Sequence, residues 1–167
     1  VDPGVDVGAV HPAGDAVADG GVAASAGSAG PDDLVRREVE HQQARVDRLM
    51  SREDGISHSA VRDELQETMT ANVNVFREEG GLKEALADIH EAREAYRDVA
   101  VSDPSRTFNT DLIHTIETRN IIDLAEAITL GALARDEFRG AHWRKEHQER
   151  KDGSWLKHTL LSWHDGE

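Results

Sequence analysis

The sequence predicts an all-α fold. It is an antiparallel up-and-down bundle of three to four helices, spectrin-repeat-like, with a disordered acidic N-terminal arm and an irregular C-terminal tail. Three observations predict it. Apolar residues recur mostly at three- and four-residue spacing in four successive segments after Pro31. Polar breaks at Asp54-Gly55, Gly80-Gly81 and Asp103-Pro104 separate those segments. Strand signals are nearly absent before residue 150. Residues 1–33 read as an acidic Ala/Gly-rich linker or insertion, 34–144 as the bundle, and 145–167 as an irregular Trp-containing docking tail.

The first segment has six acids, no Lys or Arg, and no helical or alternating period. Its Gly20–Gly30 run has too few large apolar groups to offset the entropy of ordering it. It is not a phosphate loop, since no strand precedes it and no G-x-x-x-x-G-K follows. Pro31-Asp32-Asp33 opens the first helix, with an acid cap and negative charge where the helix dipole favours it. Leu34, Val35, Val39, Val46, Leu49 and Met50 form its narrow apolar stripe. Ser57 or Ser59 opens the second helix, which carries Val61, Leu65, Met69, Val73 and Phe76 and ends at Gly80-Gly81. The third carries Leu82, Leu86, Ile89, Tyr96 and Val99.

The longest helical pattern lies in Thr107–Arg144 and puts Leu112, Ile113, Ile116, Ile121, Leu124, Ile128 and Leu133 on one face. Thr107 or Asn109 is expected to cap it, and Gly140 to stop it. Beyond residue 144 a charged, aperiodic run leads into Trp155, Leu156, Leu160, Leu161 and Trp163. Two Trp in the last stretch of an aromatic-poor chain read as a docking surface or clamp.

The net charge is −14, with only four Lys. Such acidity argues against nucleic acid, where cations must neutralise phosphates, and against an anionic membrane surface. A Lys-poor acidic excess spread along the chain is instead the pattern of a halophilic surface, whose self-repulsion salt screens. With no cysteine, disulfides, thiol catalysis and iron–sulfur ligation are excluded within the chain. No apolar run is long enough for a membrane span, and no secretory signal is visible. Because Val1 is not an initiator Met, the chain is expected to be a processed piece or a fragment of something longer.

No complete catalytic site can be assembled from these residues. A di-iron bundle site needs two E-x-x-H pairs and two further carboxylates, whereas only Glu38/His41 fits and Asp111/His114 is a weak second. His142 and His147 are one residue too far apart for an H-x-x-E-H zinc motif. The dense group is Glu137, Arg139, His142 and Arg144. One reading makes it a helix C-terminal cap in which cations meet free carbonyls. The other makes it a buried charged knot reaching another domain, with Glu137 paired to Arg139 or Arg144 and His142 a neutral donor or acceptor.

At these residues the chain resembles the C-terminal helical domain of the flavoprotein subunit of succinate dehydrogenase and fumarate reductase. The family hallmark E-S-R-G-A-H-x-R is matched by Glu137, Arg139, Gly140, Ala141, His142 and Arg144, with Phe138 standing where the family usually has Ser. Phe108-Asn109-Thr110-Asp111-Leu112 is similar to the family's F/W-N-T-D-L. Leu65-Gln66, Met69 and Val75-Phe76-Arg77 resemble L-Q-x-x-M…V-F-R. Trp155-Leu156-Lys157-His158-Thr159-Leu160 resembles the tail W-x-K-H-T-L. The motifs fall in order over roughly residues 34–163 and leave 1–33 uncovered.

The resemblance implies succinate oxidation to fumarate at a covalently held FAD, with electrons passing to an iron–sulfur subunit and on towards membrane quinone. The family's FAD-binding and catalytic residues lie upstream, so this chain alone is expected to bind no FAD and to lack activity. Its implied partners are the upstream FAD-binding portion, the iron–sulfur subunit and, indirectly, the membrane anchor subunits. The implied place is peripheral, on the cytoplasmic face of the cell membrane. Glu137, Arg139, His142, Arg144, Trp155 and His158 would then serve interdomain or subunit contact. L-aspartate oxidase shares the helices and E-S-R-G core, but Asn109–Leu112 and the Trp155–Leu160 tail favour succinate dehydrogenase. A free-standing helical interaction module is the reading from another class.

Overall fold

A computed structural model describes residues 30–161 and the backbone of residues 11 and 12. In chain order the elements are β1 (His11–Pro12), α1 (Pro31–Met50), α2 (His58–Asn72), β2 (Phe76–Arg77), α3 (Glu79–Tyr96), α4 (Thr110–Ala134), β3 (Trp143–Arg144), α5 (Asp152–Trp155) and β4 (Thr159–Leu160). The fold is all-α, with α2, α3 and α4 packed on one another. Val61 and Leu65 of α2, Ile89, Ala92 and Tyr96 of α3, and Ile122 and Ala125 of α4 close one core cluster, joined by Val99. Val73, Leu82, Ala85 and Ala132 make a second, and Met69 touches both.

Helix ends follow local chemistry. Ser57 caps α2 by accepting from the Ser59 amide. Asn109 caps α4, its Oδ1 accepting from Leu112 N at 2.8 Å while its Nδ2 donates to the Asp103 and Ser105 carbonyls. The loop after α1 is pinned to the loop after α3 by the Ile56–Val99 bridge, with Ile56 N donating to Asp98 O at 3.0 Å. Gly55 is required there, because a Cβ would stand 2.3 Å from Asp98 O. β2 and β3 pair in parallel, setting Phe76 beside Trp143 and Arg77 beside Arg144. β1 and β4 pair antiparallel.

Several expectations are corrected. Gly30, not an acid, is the N-cap of α1, and Asp32 and Asp33 lie inside its first turn. Only Leu49 of α1 is buried, and Leu34, Val35 and Val39 are exposed, since only the C-terminal end of the helix reaches the bundle. Gly80-Gly81 does not end α2 but lies in the first turn of α3. Gly81 is buried against Asn72 Oδ1, which a Cβ would meet at 3.0 Å, so the glycine brings α2 and α3 close. Phe76 has left the core for β2, where its ring meets Trp143 edge-on at 5.3 Å.

α4 stops at Ala134, not at Gly140, and of the face expected to be buried only its Ile121 and Leu133 pack against the core. Thr115, Thr118, Ile122, Ala125, Thr129 and Ala132 are buried, whereas Ile113, Leu124 and Ile128 are 53%, 61% and 51% exposed. Small residues let α4 sit close on α2 and α3. The Thr118 and Thr129 hydroxyls donate to the His114 and Ala125 carbonyls one turn back, which makes those side chains behave as apolar ones. Trp163 and the arm at residues 1–10 and 13–29 lie outside the described residues.

Candidate functional site

Where α4 ends, the chain folds back on itself and gathers the charged group. Arg139 and His142 exchange both backbone hydrogen bonds at 3.0 Å across Gly140-Ala141. Gly140 holds φ +58, the left-handed value that a two-residue turn with glycine first demands. Gly140 therefore turns a hairpin that presents Glu137, Arg139 and His142 together.

Glu137 is the centre, 0% exposed. Arg139 grips its carboxylate with two nitrogens, at 2.7 and 3.0 Å. Lys151 N donates to it at 2.8 Å, and Arg135 Nη1 donates from the other side. Four donors to one anion satisfy a charge that would otherwise be costly to bury. The Arg139 hydrogen bonds chiefly, with those of Lys151 N and Arg135, hold the carboxyl at about 2 against the upward push of burial. Arg139 also reaches Asp152 Oδ1 at 2.8 Å, and these two anions together hold its guanidinium more firmly charged than usual.

Arg135 ties the knot to the tail. Its Nη2 donates to Lys157 O at 2.7 Å and to Thr159 Oγ1 at 3.3 Å, and its guanidinium lies 4.8 Å over the Trp155 ring. Trp155 Nε1 and Lys151 Nζ donate to Asp136. His142 sits between two partners: Nε2 is 2.8 Å from Arg135 O and Nδ1 is 2.8 Å from Arg77 Nη1. A guanidinium only donates and a carbonyl only accepts, so one neutral tautomer satisfies both, with the proton on Nε2. Burial first, then Arg77, Arg144 and Arg135, pushes the ring below the usual 6.5, though the Arg135 carbonyl opposes them. His142 is neutral at pH 7.

Arg144 is 1% exposed and does the other expected job. Its Nη1 donates to the Ala132 and Leu133 carbonyls at 3.1 Å, satisfying free acceptors at the end of α4. It meets Glu146 at 3.3 Å and lies 4.0 Å from Glu79. A buried charged knot and a helix cap are thus both present, on different residues. Glu137 pairs with Arg139 and Arg135 while Arg144 caps the helix. His158 is exposed and stands outside this network.

Arg135, Asp136 and Asp152 are not among the residues expected from the sequence, and Arg77 enters there only through the V-F-R motif. Arg135 and Asp136 had a signal, since they immediately precede Glu137 in the same charged run. Asp152 sits in an aperiodic stretch and had none. The two E/D-x-x-H pairs do not converge: Glu38 and His41 are exposed on α1, whereas Asp111 meets His58 at 3.2 Å. Among the described residues no three His, Asp or Glu side chains are grouped to hold a metal ion, and no helix is long and apolar enough to cross a membrane.

Residues 62–167 match the family model described as fumarate reductase flavoprotein C-term. The chain is 38% identical over 122 residues to the fumarate reductase flavoprotein subunit of Haemophilus influenzae, covering 73% of this chain and 20% of that protein. It is 35% identical over 128 residues to the succinate dehydrogenase flavoprotein subunit of Rickettsia felis, covering 72% and 22%. Among solved structures it is similar to a mutant of the E. coli quinol fumarate reductase chain FrdA, with TM-score 0.70 and 28% identity over 85% of this chain and 26% of that one. It is also similar to Mycobacterium smegmatis Sdh1 in complex with UQ1, with TM-score 0.68 and 29% identity over 78% and 22%. The chain spans about a fifth of the length of the curated relatives it matches.

Proposed function

This chain belongs to the succinate dehydrogenase and fumarate reductase flavoprotein family as the subunit's C-terminal domain, and we propose that it works by docking onto the FAD-binding portion of the same polypeptide. In that assembly it supports FAD-dependent interconversion of succinate and fumarate and electron transfer to an iron–sulfur subunit, which membrane subunits anchor at the cytoplasmic face.

One observation carries the docking. The outer face of α4 exposes Ile113, Leu124 and Ile128, opposite the bundle core. The tail extends that face, since Leu161 Cδ1 lies 3.9 Å from where a Cβ on Gly131 would stand, and Leu160 and Leu161 are exposed as well. Exposed large apolar groups on an acidic chain suit an interface. The knot fixes its edge: Glu137, through Arg135, holds the tail against the end of α4. Arg139, Trp155 and the exposed His158 stand at the rim as contact residues, while Glu137, His142 and Arg144 act by positioning them.

The described residues do not fit FAD themselves. Their strands are two-residue pairs, without the parallel sheet and glycine-rich strand-to-helix turn that cradle a dinucleotide. This supports the reading that FAD and the substrate residues belong to the portion upstream.

In the complete flavoprotein subunit, Leu124→Asp and Ile128→Asp are expected to lower bound flavin and complex assembly together. Full flavin content and normal assembly in both variants would refute the docking face. Arg139→Ala in the assembled enzyme is expected to weaken docking more than substrate affinity. A raised KM for succinate with assembly intact would contradict that.

A further inference from the structure

A second cluster lies away from the knot, in a cleft of about 460 Å³ between the end of α1, the end of α3 and the middle of α4. Its walls carry Arg45, Arg48, Arg52, Arg97 and Arg119, with Asp123 the one carboxylate among the described lining residues. The concentration of cations is opposite in sign to the chain as a whole, at −14. Asp123 is already engaged by Arg93 and Arg119, so it does not neutralise the cleft. Arg52 Nη1 donates to Val99 O, and Arg97 pairs with Glu94 at the exposed rim. Arg45 Nη2 is buried with no hydrogen-bond partner among the described residues. A buried guanidinium nitrogen left unmatched is costly, and like charges focused in a cleft raise the local concentration of anions.

We infer that this cleft is an anion site, taking a small polyanion with two or more phosphate or carboxylate groups. Guanidinium forks match either group with paired hydrogen bonds, and the volume suits a ligand of that size. Five arginines from three separate elements converge on it, which a solvated charged face does not require. The site does not rest on the docking reading: it uses α1, α3 and the middle of α4, and none of the residues of the knot.

The test titrates tripolyphosphate and citrate separately into the full chain, at ionic strength held constant with chloride. Saturable one-to-one binding of either is expected, and whichever binds identifies phosphate or carboxylate as the source. The pair R48Q/R97Q removes two cations at the rim without touching the core, and should weaken binding by about tenfold or more. The pair R36Q/R37Q removes the same charge from the exposed N-terminal half of α1 and should change it less than about twofold. Unchanged helical circular dichroism checks that both variants fold. Equal weakening by both pairs would reduce the effect to general attraction and overturn the site. So would no saturable binding of either anion.

Discussion

Arg139 holds the buried carboxylate of Glu137 with two nitrogens at 2.7 and 3.0 Å, and the same carboxylate is met by Arg135, which holds the tail. A single anion thereby joins the end of α4, the Gly140 hairpin and the last described strand.

That pairing sets an acid limit. The Glu137 carboxyl sits at about 2 instead of 4.5, so its contribution to stability is complete above pH 4.5 and is lost as the pH falls towards 2. Urea denaturation across that window should show a steep fall in the parent chain and a flatter one in Glu137→Gln. At neutral pH the variant should already be less stable by about 3 kcal/mol, because two guanidinium groups lose their shared partner. Equal acid slopes in the two proteins would contradict the assignment.

His142 gives a second, higher window. Its ring is held below 6.5, so the folded state prefers it neutral. The stability this brings is present above pH 6.5 and declines as the pH falls through the folded-state value. Nitrogen-15 NMR should find the proton on Nε2 at pH 7, and His142→Gln should remove this part of the acid sensitivity. A proton found on Nδ1 would break the Arg77 contact as drawn.

Gly55 tests the loop junction. Any side chain there must displace the Asp98 carbonyl, which is backbone and tied to Ile56 N. Gly55→Ala should cost about 1–3 kcal/mol, read by thermal or urea melting. A neutral substitution would mean that the Ile56–Val99 bridge is not required.

Charge gives the fourth expectation. With net −14 and an uncovered apolar face, the chain should lose helicity on dialysis from molar salt into dilute buffer, as screening is withdrawn. Circular dichroism that stays fully helical in low salt would refute the halophilic reading.

How far the sequence could be read depended on where hydrophobicity and packing agree. In α3 they do: Leu82, Leu86, Ile89 and Tyr96 are the large residues and all are buried, as is Val99 beyond its end. In α4 they part. Ile113, Leu124 and Ile128 point outward while Thr115, Thr118, Ala125, Thr129 and Ala132 join Ile122 in facing the core, because intrahelical bonds silence the Thr118 and Thr129 hydroxyls and small side chains allow close approach. A periodicity reading has no means of choosing between two faces when one is Thr/Ala and the other Ile/Leu. The same holds for Phe76, whose place opposite Trp143 depends on a parallel pairing across 67 positions of sequence. The knot was legible in its residues Glu137, Arg139 and His142, but not in Arg135, which looked like the end of a helix and proved to be the link to the tail.

The most direct test of the central claim is the intact mass and flavin absorbance of the native polypeptide that carries these residues, purified from its source. The account predicts a polypeptide several times the 18.3 kDa of this chain, with flavin bound and this domain at its C-terminal end. A flavin-free species of 18.3 kDa would contradict it and leave a helical module that acts by itself.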